Sequence, residues 1–274
     1  MKPSSSNRFS ISAARVITAA VFLLPFLWIA LAALRPPGTP LPRNLQFAPG
    51  ELSLENFIRI WDLVPLWRFA LNSLRVLVLA VPITILVSSW AGFAISQLPR
   101  SSQRRWVTLS LVTLMIPSIA LWYARFIVYK ELGIYNSLWA LVAPAFMGTS
   151  AFFVLMYYRA FRRIPREIYD SARLDGAGLI KSWRLIAMPI ARPTTAGVAL
   201  LAFIHYWGDY VSPLLYLQSE RNFTVPVALQ LLHQMGRSDW SLLMAASIVS
   251  LAVPILFFVL LQPLLTSNFH NEKE

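Results

Sequence analysis

Six long apolar stretches organise the 274-residue chain, at 16–34, 76–95, 106–128, 137–158, 194–217 and 241–265. Each reaches the roughly 20 mostly apolar residues that an α-helix needs to cross a bilayer. Four of the six hold no Asp, Glu, Lys or Arg; the exceptions are Arg125 in the third and Asp209 in the fifth. A proline falls in every one, among them Pro25, Pro82, Pro117, Pro144, Pro213 and Pro254. Membrane helices tolerate proline because neighbouring groups satisfy the freed carbonyls. The pattern predicts an all-α integral membrane protein with six transmembrane helices. The first stretch follows Lys2, Arg8 and Arg15, as the core of a signal peptide would. Its length and the five stretches behind it mark it instead as a true span.

Among the polar segments that would share one face of the membrane, residues 159–193 form by far the longest. Pro165 suits the first turn of a helix, where the missing N–H costs nothing. Glu167 and Asp170 then sit near the positive end of the helix dipole. The spacing predicts a helix to about Asp175, broken at Gly176-Ala177-Gly178. A second segment carries Leu179, Ile180, Trp183 and Ile186 at helical spacing and stops at Pro189. Such a pair either lies on lipid headgroups or docks a partner.

Composition supports the membrane reading. The chain is 57% hydrophobic and 13% charged, with mean hydropathy +0.58. Soluble domains run at about 45–50% and about 25%. Too few charges are present to wet a globular surface, which excludes a soluble enzyme, a disordered chain and a fibrous one. The net charge of +12 would suggest a nucleic-acid partner in a soluble protein, but here its location explains it. With the N-terminus inside, segments 1–15, 96–105, 159–193 and 266–274 carry 15 basic residues, against 8 in 35–75, 129–136 and 218–240. Acidic residues divide almost evenly, 5 against 6. This Lys and Arg bias places both termini inside and implies no nucleic acid. The expected organisation is a cytoplasmic tail over 1–15, a six-span transmembrane domain over 16–265 containing the 159–193 loop, and a second cytoplasmic tail over 266–274.

Few residues offer chemistry. There is no cysteine, the three histidines (His205, His233, His270) show no metal-ligand spacing, and no glycine precedes a lysine, so no Walker A phosphate loop exists. The chain has no means of hydrolysing ATP, no metal site and no nucleophile–base set. Ionisable groups within spans are the remaining candidates. Arg75 and Arg125 lie near the outer ends of spans two and three, where long side chains reach the headgroups. Asp209 is too short to do so and stands beside His205, Tyr206, Trp207 and Tyr210. Aromatic rings and one carboxylate would suit a sugar in an aqueous pathway. The alternative for these rings is core packing or an interfacial belt. Arg125 in the same pathway would favour an anionic substrate such as a glycerol phosphate.

The loop carries a further pattern. Asp170-Ser171-Ala172, three residues, Gly176, nine residues and Ile186-Ala187-Met188-Pro189 resemble the "EAA" motif of ABC importer permeases, with Asp for Glu, Ser for Ala and Met for Leu. Asn72-Ser73-Leu74, Gly133-Ile134-Tyr135-Asn136-Ser137, Asp239-Trp240 and Met244-Ala245-Ala246-Ser247 are similar to the same family. Trp207-Gly208-Asp209-Tyr210-Val211-Ser212-Pro213-Leu214 resembles a run of its carbohydrate branch, with Gly208 in place of Asn. The likeness covers roughly residues 15–265 and is nearest to maltose-type permeases.

The resemblance implies a multi-pass permease of a prokaryotic cell membrane. It would pair with a second permease, dock two cytoplasmic ATPase subunits and receive a sugar from an extracytoplasmic binding protein. ATP and Mg would be bound by the ATPases. The loop would be the coupling helix, with Glu167, Asp170, Ser171, Ala172, Arg173, Asp175, Gly176, Ala177, Ile186 and Pro189 at the contact. Ala172 and Gly176, small and four apart on one helical face, would admit a partner closely. Glu167, Asp170, Arg173 and Asp175 would orient it. Two other readings stay open: an ABC permease for a phosphorylated polyol, amino acid or peptide, and an ion-coupled secondary transporter, for which Asp209 is the sole intramembrane carboxylate.

Overall fold

The structure, a computed structural model, describes residues 5–39, 50–235 and 239–266. Of the expected tails, residues 1–4 and 267–274, with Lys2 and His270, lie outside the described residues, while residues 5–15 continue into the first helix rather than standing apart from it. Every regular element among those described is helical. In chain order they are α1 (Ser5–Ala33), α2 (Glu55–Leu63), α3 (Leu66–Gln97), α4 (Arg100–Leu114), α5 (Trp122–Glu131), α6 (Leu138–Val142), α7 (Ala151–Arg162), α8 (Arg166–Leu174), α9 (Leu179–Ser182), α10 (Met188–Ile190), α11 (Arg192–Trp207), α12 (Val211–Tyr216), α13 (Val225–Met235) and α14 (Trp240–Thr266).

Four stretches are long and apolar enough to cross a membrane: Ala14–Ala33, Leu66–Gln97, Leu138–Arg162 and Trp240–Pro263. Two further pairs qualify together but bend, by 89° between Arg100–Leu114 and Ser118–Glu131 and by 82° between Leu179–Ile190 and Arg192–Trp207. Three of the expected spans are therefore not continuous helices. In the third, Pro117 lacks an N–H and restricts Ile116 before it to extended backbone, which ends α4. The fourth breaks at Gly148 (φ 72°) and Thr149 (φ 61°), and α7 restarts from Ser150, whose hydroxyl accepts the Phe152 N–H at 3.2 Å. The fifth stops at Trp207 and resumes as α12 after Gly208-Asp209-Tyr210. Apolar length alone could not reveal these breaks, because Gly, Pro and Thr are common inside real spans.

The chain divides into two compact units, residues 1–67 with 228–252 and residues 68–227 with 253–274. In the first, α1 leaves every described side chain from 14 to 27 exposed, Val16, Phe22 and Leu27 among them, as expected of a surface facing lipid or another chain rather than water. Asn56 is fully buried, and its amide donates to the carbonyls of Ala33 (3.3 Å) and Arg35 (2.7 Å) where α1 ends. Asp239 caps α14 through the Leu242 N–H and pairs with Arg59 at 3.0 Å. Burial opposes its ionisation, but hydrogen bonds from Ser241, Leu242, Gly38 and Arg59 hold its carboxyl below the usual carboxylate range.

The second unit is built on α3, which at 32 residues far exceeds the predicted 76–95. Its core joins Val76, Ala80 and Phe93 of α3 to Phe153, Tyr157 and Phe161 of α7 and to Val198, Ala202 and Phe203 of α11. The α3–α7 crossing is close. A Cβ on Gly92 would stand 2.7 Å from the Tyr158 nitrogen and 2.8 Å from the Val154 oxygen, both backbone atoms of α7. Gly92→Ala should therefore lower the melting temperature of the detergent-solubilised protein, at about 1–3 kcal/mol for overpacking. Gly197→Ala, where the nearest atom is the Met156 methyl at 3.6 Å, should hold or raise it, by up to about 1 kcal/mol of helix propensity. Equal melting of the two variants would sink this account of the crossing.

Candidate functional site

The 159–193 loop begins where α7 ends. Pro165 takes the N-cap position of α8, one residue before the expected first turn. The helix closes on Gly176 (φ 79°). The Gly176 N–H donates to the Arg173 carbonyl at 3.0 Å and the Ala177 N–H to the Ala172 carbonyl at 2.8 Å. These two bonds form a Schellman cap, which requires a left-handed residue that glycine adopts without cost. Gly176 therefore lies beyond α8 and does not share a helical face with Ala172. A Cβ there would meet nothing within 4 Å, so its conformation, not its small size, is what this chain uses.

From Leu179 the backbone runs through α9, a π-helical turn at Trp183–Ala187 and α10. It continues past Pro189 and turns by 82° into α11. In a regular helix the Leu185 carbonyl would need the N–H that Pro189 lacks, and the π turn reshapes the ladder at that point. Ile186 is half-buried and Pro189 exposed.

Two aromatic side chains fix this loop to α3. Tyr169 of α8 is buried, with its ring 5.9 Å from that of Phe93, which in turn meets Phe161 of α7 at 5.7 Å. Trp183 meets Trp90 edge-on at 5.5 Å. Gln103 supports the same end: its amide donates to the Ser96 and Leu98 carbonyls, and its oxygen accepts from the Tyr158 hydroxyl. Much of the rest of the loop is uncovered. Glu167, Asp170, Ser171, Arg173 and Asp175 are exposed, Ala172 and Ala177 half-buried. The Arg173–Asp170 pair, 3.1 Å apart, is too exposed to stabilise α8 much. Leu174 is 90% exposed, Ile180 72% and Leu185 67%. Uncovered leucine and isoleucine beside charged residues form a contact surface without its contact.

At the opposite end of α3, Asn72 and Asn136 hold one loop. The Asn72 amide donates to the Arg221 and Phe223 carbonyls, and its oxygen accepts from Arg75. Ser73 accepts the Val225 N–H at 3.0 Å. Asn136, with φ 56°, accepts from the Gln218 and Ser219 N–H groups and donates to the Ser219 hydroxyl. Both asparagines stood in sequence motifs with no role assigned; a shared loop gives them one. Arg75 is tied to Asn72 rather than extended alone.

Between these ends the chain breaks bring hydroxyls together. Thr149 contacts Thr84 of α3 at 2.6 Å and Tyr206 of α11 at 2.7 Å. Threonine rarely adopts φ near 61°, and its hydroxyl is held on both sides where the backbone is strained. Tyr206 is buried by this chain. Trp207 stacks on Phe203, which stacks on Phe257 at 4.0 Å. Asp209 lies in the break, where its carboxylate accepts the Ser212 N–H at 3.1 Å and starts α12. It is not embedded in a continuous helix. Tyr210 is half-buried, and Arg125 and Asp209 both act electrostatically on His205 and Tyr216. Thr84, Thr149, Tyr169, Gln103 and Gly92 escaped the sequence reading; only Gly148-Thr149-Ser150, a turn signal inside an apolar run, could have marked one of them, Thr149.

Burial pushes the Tyr169 phenol from 10.0 up to about 12. A raised folded-state value contributes stability fully below the unfolded value and loses it as pH rises through the folded one. Protection of α8 from trypsin at Arg166 and Arg173 should therefore fall between pH 10 and about 12. Tyr169→Phe should remove that dependence, and Tyr169→Ala should expose α8 already at neutral pH, at about 3–5 kcal/mol for a deleted ring. An α8 equally resistant in all three proteins would show that Tyr169 is not its anchor.

Comparison with known proteins agrees with this architecture. Residues 84–270 match the family model described as binding-protein-dependent transport system inner membrane component. The arabinooligosaccharides transport system permease protein AraQ of Halalkalibacterium halodurans is 30% identical over 246 residues, covering 88% of this chain and 87% of that one. The trehalose/maltose transport system permease protein MalG of Thermococcus litoralis is 28% identical over 249 residues, covering 90% and 88%. A chain of a bacterial ABC transporter involved in import of the acidic polysaccharide alginate superposes with TM-score 0.73 at 19% identity, covering 96% of this chain and 98% of that one. Family match, relatives and fold converge: the chain belongs to the binding-protein-dependent transport system inner membrane components.

Proposed function

We propose that this chain is a permease subunit of an ABC importer and forms, with a second permease, the path for a sugar or oligosaccharide. The observation that carries the reading is the 159–193 loop: a capped helix with an uncovered contact face, fixed to α3 by Tyr169 and Trp183 and leading directly into α11. Its relatives' names supply the substrate class, since they include arabinooligosaccharide and trehalose/maltose permeases. The alginate transporter that shares the fold has also been solved with a pentasaccharide-bound periplasmic protein.

On this reading the chain is multi-pass in a prokaryotic cell membrane, with six spans over 16–265, both termini inside, and the bent pair about Pro117 counted as one span. Two cytoplasmic ATPases hold ATP and Mg and dock on Glu167, Asp170, Ser171, Ala172, Arg173, Asp175, Gly176 and Ala177. Ile186 and Pro189 close the rigid link to α11. ATPase closure displaces the loop, and the packed aromatic anchors pass that movement to α3 and α11. The binding protein delivers substrate at the other end, beside the loop held by Asn72 and Asn136. Trp207, Asp209, Tyr210 and Arg125 line the path between, with Tyr206 packed behind them and the Gly208–Tyr210 break giving α11 and α12 freedom to reorient.

Affinity purification of the tagged chain from mild detergent should recover an ATPase and a second permease; a lone homodimer would overturn the assembly. Gly176→Val should abolish uptake while leaving membrane insertion intact, since a β-branched residue at positive φ costs roughly 1–2 kcal/mol and misdirects the cap. Gly176→Asn, which tolerates that conformation, should retain much of it. Normal uptake by the valine variant would count against a coupling role for this loop.

A further inference from the structure

Two cavities adjoin at the Gln97 end of α3. The first, of about 730 Å³, lies between the α3–α4 turn, the end of α7 and the start of α8. Arg100, Arg162, Arg163, Arg166 and Arg173 line it, against two carboxylates, Glu167 and Asp170. Two helices of 15 and 9 residues, α4 and α8, begin at its wall. Each has proline at the N-cap and no side-chain cap, so first-turn N–H groups and the positive dipole ends remain for a ligand. Tyr169 also lines this cavity, a residue 5% exposed whose hydroxyl is buried and has no hydrogen-bond partner. A buried donor without an acceptor is costly. Guanidinia, helix starts and an unused phenol thus converge on one site, and all of them favour an oxyanion.

The second cavity, of about 570 Å³, is apolar, with walls from Trp90, Phe93, Leu179, Ile180 and Trp183. Gln97, Leu98 and Arg173 belong to the walls of both cavities. Arg173 stands at this partition, held by Asp170 at 3.1 Å and within 3.5 Å of the Gln97 oxygen. A basic chamber beside an apolar one matches an amphiphile with an anionic head. A water-soluble phosphorylated metabolite would use only the first, and an acidic protein segment would leave the second unfilled. The same end carries the basic segments 96–105 and 159–193, which the Lys and Arg bias assigns to the inner leaflet, where anionic headgroups collect.

We propose that the paired cavities bind one anionic phospholipid. Its headgroup phosphate sits among Arg100, Arg163 and the Tyr169 hydroxyl, and an acyl chain lies across Trp90 and Ile180. The lipid then rests beneath the 159–193 loop and between its two aromatic anchors, so membrane composition bears on how that loop is held.

The test is native mass spectrometry of the full-length chain, purified with whatever subunits accompany it. Before measurement it is exchanged into nanodiscs of phosphatidylcholine containing a minority of phosphatidylglycerol. Phosphatidylglycerol should remain bound in preference to phosphatidylcholine. The Arg100→Gln/Arg163→Gln variant should lose that retention by about tenfold or more, since each basic residue adds to attraction at an anionic surface. Its melting temperature in lipid-free detergent should match that of the parent, which shows that it folds. Ile180→Asp should weaken retention as well, and sn-glycerol 1-phosphate, a soluble headgroup, should not displace the lipid. Equal retention of both lipids, retention indifferent to the arginines, or full displacement by glycerol phosphate would overturn the proposal, the last in favour of a free phosphate ligand. Loss of all lipid whenever an ATPase is bound would do so too, showing that a protein segment fills the site. The inner-leaflet placement rests on the transport reading, but because lipid is read and not uptake, failure of the lipid proposal is distinguishable from failure of that reading.

Discussion

The contact between Gly92 and the backbone of α7 is the constraint on which the second unit depends. No side chain fits between the two helices at that point, so their approach is set by backbone against backbone. The neighbours of Gly92 then fall where the loop needs them. Trp90 and Phe93 receive Trp183 and Tyr169, while Tyr157 and Phe161, stacked at 5.5 Å, complete the same cluster from α7. A wider crossing would separate the two halves of that aromatic socket. Because packed interiors respond in discrete shifts rather than by smooth deformation, a loop anchored in this way can carry movement instead of absorbing it.

The broken helices belong to the same design. A membrane interior penalises free backbone groups, yet the chain interrupts itself at Pro117, at Gly148-Thr149 and at Gly208–Tyr210. Each interruption that the structure describes in detail has its own compensation. Ser150 caps α7, Asp209 starts α12, and Thr149 is held between Thr84 and Tyr206. At the Asn72 end of α3, two buried or strained asparagines satisfy a loop that would otherwise present unpaired carbonyls and N–H groups. Rigid packing at the Gln97 end and punctuated helices farther along suit a molecule whose two ends must communicate.

Much of this was legible in the residue order. The apolar runs announced helices, the 15-to-8 division of basic charge favoured one orientation, and the spacing from Asp170 through Gly176 to Pro189 singled out the loop. Gly176 could be read as a helix stop because that cap is local: three or four consecutive residues decide it. The reading of Ala172 and Gly176 as one small face failed because the helix ends at Leu174 and Gly176 is its left-handed cap, and helix ends are where sequence is least decisive. Asp209 looked like a buried charge in a span, since nothing in its neighbours says whether the backbone around it is helical.

By itself, then, the sequence determined what depends on short range and on solvent: which segments avoid water, where positive charge collects, and where a turn must be left-handed. Only the tertiary structure decided what depends on residues far apart in the chain. Phe93 and Tyr169, Thr84 and Tyr206, and Asn136 and Ser219 meet because helices cross at fixed angles and distances, and those crossings are set by complementary surfaces rather than by any periodicity along one strand of the chain. The basic cavity arises in the same way, from arginines on three separate helices whose common destination no single segment encodes.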